Sequence, residues 1–98
     1  MKFGLKEEII NNIVNQLAKH ENIKKALVFG SRARGDYRYN SDIDIAVFAD
    51  GEVSACVYLD LDEAAGIYKI NVVEMGTIQN EKLRENIKDQ GIEIYSRG

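Results

Sequence analysis

The chain has 98 residues, 45% hydrophobic and 30% charged, with a formal net charge of -3. That length predicts one domain spanning residues 1–98, and no apolar run approaches the roughly 20 residues that a membrane-crossing helix needs. Mild acidity argues against a broad nucleic-acid-binding surface, and one cysteine with one histidine is too little for an internal disulfide or a zinc site. The amino terminus shows no long apolar core followed by a cleavage site, so a cytoplasmic chain is expected. Cys56 is read there as a small buried apolar residue.

Taken in chain order, Leu5, Ile9, Ile10, Ile13, Val14, Leu17 and Ala18 recur at steps of three and four, which predicts an amphipathic helix from Leu5 to about His20. His20 falls at its end, where an imidazole suits the helix dipole. Lys24–Phe29 reads as a buried strand ending at Gly30. Ser31–Arg34 can form a helical turn that Gly35 stops, and Asp36–Ser41 is a polar connector. Asp42–Phe48 is the clearest strand. Val53–Ala65 fits either period, and its length and flanking glycines favour a helix. Tyr68–Met75 reads as a third strand. Ile78–Asp89 reads as a helix burying Ile78, Leu83 and Ile87, with Gly91 as a left-handed cap. Ile92–Tyr95 can add to a sheet edge. This order predicts an α/β (α+β) sandwich with one mixed sheet of three to four strands packed against helices. The connector between the first two strands is too short for a crossover helix, so that pair is not a standard βαβ unit.

The chemistry concentrates between Phe29 and Phe48. Side chains alternate along a strand, so Asp42 and Asp44 share a face, roughly 7 Å apart along the chain. Carboxylates that close repel unless a cation or a proton intervenes, and magnesium accepts one or two carboxylates together with phosphate oxygens. Ile43, Ile45 and Val47 point the other way, into apolar packing. Gly30 lets backbone approach a ligand, and the amides after it with the Ser31 hydroxyl can hold an anion. Arg32, Arg34 and Arg38 could add charged hydrogen bonds, with Arg34 preferred. Tyr37, Tyr39 and Lys69 read as ordinary solvated residues.

Ten residues separate Ser31 from Asp42. With this spacing the sequence resembles the minimal nucleotidyltransferases of the DNA polymerase β superfamily, whose signature is Gly-Ser, ten residues, then Asp-x-Asp. GSRARGD and SDIDIAVF carry the likeness. The resemblance implies the polymerase-β-like fold, a site for two magnesium ions, and transfer of a nucleoside monophosphate from a triphosphate to an acceptor. ATP is the expected donor. It also implies roles for Gly30 and Ser31 at the triphosphate and for Asp42 and Asp44 at metal, with Arg34 the arginine expected at the nucleotide from its place in the connector.

Similar proteins carry a third acid on a later strand, and alignment of Ile70–Val73 puts Asn71 there. Asparagine offers a carbonyl oxygen but cannot take up the nucleophile's proton. Glu74 is the nearest substitute, although its strand parity is opposite and a bulge would be needed to turn it inward. Short members resemble MntA-type antitoxins of HEPN/MNT modules, so the resemblance implies a HEPN protein as partner and AMP acceptor. A weakened transferase acting as an antitoxin by complex formation is the alternative. A small-molecule acceptor would need a pocket that this chain could build only by homodimerisation.

Overall fold

The computed structural model describes residues 2–97. Helix α1 (Glu7–Lys19) opens with Glu7 and Glu8 against the positive end of the helix dipole and buries Ile13 and Leu17. It begins two residues later than its periodicity suggests, because Lys2 and Leu5 form a small bridge of their own. Strand β1 (Ile23–Phe29) follows, then the single turn α2 (Ser31–Arg34) and strand β2 (Ile43–Ala49). Helix α3 (Ala55–Ala64), strand β3 (Ile70–Glu74), helix α4 (Glu81–Gln90) and strand β4 (Ile92–Ser96) complete the order. The ambiguous Val53–Ala65 segment is thus helical, with Val57, Leu61 and Ala64 inward.

The four strands form one mixed sheet in the order β3-β2-β1-β4. Strands β1 and β2 are antiparallel, β1 and β4 antiparallel, and β2 and β3 parallel. A one-turn connector permits only the first arrangement, whereas α3 supplies the crossover for the parallel pair. Both sheet faces are covered. Ile13 and Leu17 of α1 and Val57 and Leu61 of α3 pack with Val28, Ile43, Ile45 and Val47 on one face. On the other, Ile87 of α4 packs with Leu27, Ala46 and Met75, flanked by Phe29, Phe48 and Val73. Strand alternation therefore assigns Asp42, Asp44 and Asn71 to the α4 face and Glu74 to the α3 face.

Two expectations need correction, and His20, at the end of α1 as expected, gains a partner. Cys56 is exposed, because the inner stripe of α3 belongs to Val57, Leu61 and Ala64. Gly91 is extended (φ -65, ψ 139) and not left-handed, since β4 starts at the next residue. It is still required sterically: a Cβ there would lie 2.4 Å from the Ile87 carbonyl oxygen. His20 is tied to a partner across the fold, its Nε2 lying 2.9 Å from Asp60 Oδ2, so it links α1 to α3.

The Tyr58 hydroxyl on α3 donates to the Glu74 carboxylate at the end of β3. Burial first, then this hydrogen bond and the negative charge of Glu74, push the phenol up to about 12 from 10.0. A raised pKa in the folded state means stability that is complete below the unfolded value and lost as pH climbs through the folded one. Unfolding measured from pH 9 to 12 should therefore show wild type losing stability relative to Tyr58→Phe above pH 10. Parallel curves would deny the pair any role.

Candidate active site

The site is built where β1 ends and β2 begins. Gly30 leaves β1 at φ 74 and ψ -154, a region open in practice only to glycine. Its carbonyl accepts from the amides of Ala33 (3.1 Å) and Arg34 (3.0 Å), which winds α2 immediately after Ser31. A Cβ at Gly30 would lie 2.4 Å from Asp44 Oδ2. The first half of the motif is thus in direct contact with the second, an outcome of the antiparallel register that places Phe29 opposite Asp44.

Asn71 lies opposite Asp44 in the parallel β2–β3 register. Its Nδ2 donates to Asp42 Oδ2 at 3.1 Å and to Asp44 Oδ1 at 3.0 Å. Two anions within about 6 Å repel by on the order of 3 kcal/mol at an effective dielectric near 20. Two hydrogen bonds to charged acceptors, each contributing about 1.5–3 kcal/mol, are large enough to offset that repulsion. The amide donors are the reason these carboxylates can converge. Their convergence on one point is also what a hard divalent cation requires, so the donor set fits magnesium through Asp42 and Asp44. Among the described residues, no group of three or more His, Cys, Asp or Glu is gathered to hold a metal.

Glu74 does not substitute for a third acid. β3 pairs with β2 in unbroken register from Ile70 to Glu74, so no bulge turns that side chain over, and its carboxylate is engaged by Tyr58 on the opposite face. Arg34 is exposed and reaches Asp36 (3.3 Å) and Gln90 (3.5 Å), not the carboxylate pair. Tyr39 is largely exposed, and Arg38 and Lys69 lie at the surface.

Arg32 departs most from its expected role. It is 2% exposed and serves as a structural clamp. Its guanidinium donates to the carbonyls of Phe3 (2.8 Å) and Tyr39 (3.4 Å), and twice to Ser41 (3.2 and 2.8 Å). The rings of Tyr37 and Tyr68 lie over it at 5.3 and 5.0 Å. It therefore fixes the connector up to the residue before Asp42. Nothing in the local pattern separates Arg32 from its neighbours Arg34 and Arg38; only the connector folding back over α2 does so. Arg32→Met leaves these carbonyls without their donor and is expected to cost about 2–4 kcal/mol in urea unfolding. A loss below 0.5 kcal/mol would contradict the clamp.

The family model for Polymerase beta, Nucleotidyltransferase matches residues 11–98. The chain belongs to this nucleotidyltransferase family. A Methanocaldococcus jannaschii protein named "Putative protein adenylyltransferase MJ0604" is 34% identical over 99 residues, covering 91% of this chain and 97% of its own length. Among solved structures, a toxin-antitoxin with AMP-PNP matches with a TM-score of 0.75 at 24% identity, over 90% of this chain and 73% of that one. The toxin-antitoxin MntA-HepT matches at 0.69 and 21%, over 94% and 74%. A tri-AMPylated Shewanella oneidensis HEPN toxin in complex with MNT antitoxin matches at 0.67 and 20%, over 91% and 71%. At these identities the structural likeness is one of fold.

Proposed function

We propose that this chain is a magnesium-dependent adenylyltransferase that moves AMP from ATP to a hydroxyl of a HEPN-type partner protein. The observation that carries the reading is the convergence of Asp42 Oδ2 and Asp44 Oδ1 on one point, with Gly30 against the other oxygen of Asp44. Asp42 and Asp44 would hold the cation, Gly30 and Ser31 the triphosphate, and Arg34, after leaving Asp36, a phosphate oxygen. Bound magnesium supplies charge neutralisation to the phosphates and to the attacking oxygen. The acceptor oxygen bonds to the α-phosphorus, the α–β phosphoanhydride bond breaks, and pyrophosphate leaves. Asn71 cannot take the acceptor's proton, so it passes to solvent. The curated relative's name supports an adenylyl group and a protein acceptor. The toxin-antitoxin neighbours support a HEPN partner.

Incubation with radiolabelled ATP, magnesium and a HEPN protein encoded beside this chain should label that protein. A stable complex without label would favour a second reading, an antitoxin that acts by occupying its partner's surface. The Asn71 hydrogen bonds support that second reading, because they satisfy the carboxylates without any cation. Asn71→Asp discriminates between the two. If the natural chain is an active transferase, its rate lies within about tenfold of the variant. A rise of about 100-fold or more from near zero, the scale of a restored general base, makes it a binder.

A further inference from the structure

The Asn71 amide lies between the two carboxylates, donating to both. Both of its N–H bonds are directed at the two carboxylates, and planarity then turns Oδ1 away from them. The reverse orientation would set a carbonyl oxygen against two anions, which is unfavourable while no cation is present. The –NH2 group therefore stands at the point where Asp42 Oδ2 and Asp44 Oδ1 converge. Backbone pairing of Asp44 with Asn71 holds the amide in that place.

We propose that Asn71 is a latch that competes with a divalent cation for Asp42 and Asp44, and is not itself a ligand of that cation. A metal gains the two carboxylates only by breaking both hydrogen bonds, so the bare ion is held weakly. The cation is then taken up with the triphosphate, whose oxygens supply the remaining ligands. Between turnovers the amide keeps the carboxylates in position. This inference rests on the metal role proposed above for Asp42 and Asp44.

The two roles of Asn71 make opposite predictions for its removal. With Mn2+ as probe and no nucleotide present, Asn71→Ala should bind the ion on the order of tenfold more tightly than wild type, since two competing hydrogen bonds are gone. Calorimetry and the Mn2+ paramagnetic resonance signal both read this directly. In chelator Asn71→Ala should melt below wild type, and saturating Mn2+ should raise its Tm by more. Asn71→Val, β-branched and suited to a strand, serves the same purpose should alanine fail to fold. Equal Mn2+ binding by the variants overturns the latch, and weaker binding overturns it and makes the amide oxygen a ligand; either result leaves the proposed function standing. Absence of Mn2+ binding in wild type and variants alike, with ATP or without it, overturns both.

Discussion

Replacing Asp44 by asparagine should lower AMP transfer about a thousandfold while the fold persists. Asp44 supplies one of the two oxygens that converge at the site, and under the proposed function its loss would leave Asp42 as the one charged ligand for the cation. Losing preorganised charge stabilisation of this kind typically costs two to three orders of magnitude. The fold persists because Asp44 does not contribute to the core. Its neighbours Ile43 and Ile45 are fully buried on the opposite face and hold β2 in place. A shift in stability within about 1 kcal/mol is expected. Initial rates with labelled ATP, together with a urea melt, check both halves. A variant that keeps a tenth of the wild-type rate would remove Asp44 from the machinery.

Gly30→Ala should be damaging in a different way, destabilising the protein by about 2–4 kcal/mol as well as stopping transfer. Its backbone region costs a side chain on the order of 1–3 kcal/mol. The new Cβ would also press on Asp44 Oδ2 from 2.4 Å and drive the carboxylate from its position. Gly35 is a comparison without a contact: its backbone is left-handed (φ 94, ψ 0), a region less costly to a side chain than that of Gly30, and a Cβ there meets nothing within 4 Å. Gly35→Ala should therefore show only the backbone cost, with transfer largely kept. The difference in unfolding combines the contact with the harsher backbone region of Gly30, whereas the difference in rate reports the displacement of Asp44. Equal behaviour of the two would mean that the contact contributes nothing.

Much of this architecture can be read from local pattern, for identifiable reasons. The three- and four-residue spacing of Ile10, Ile13 and Leu17 has one low-energy solution, an amphipathic helix with that stripe inward. The alternation in Asp42–Phe48 separates carboxylates from Ile43, Ile45 and Val47 before any partner strand is known. The short connector between Gly30 and Ile43, with no room for a full crossover helix, already argues against a standard βαβ unit from β1 and β2. Cys56 and Gly91 escape local pattern because composition and end-of-helix preference do not say which side of α3 faces inward, or how soon a strand must follow α4.

Gly-Ser and Asp-x-Asp at their spacing, with two strands around them, are properties of the sequence by itself, because a ten-residue connector can join two adjacent strand ends in few ways. Asn71 at the position where the resemblance implies an acid was also legible. Tertiary structure alone decided what these residues do to one another. Pairing of β2 with β3 turned Asn71 into a donor to both carboxylates, and unbroken register left Glu74 on the far face with Tyr58. Burial converted Arg32 from a candidate phosphate ligand into the clamp of the connector. The division has a physical basis: periodicity and turn chemistry act over a few residues, whereas the environment of a polar group depends on partners that the chain brings near from thirty or more positions away.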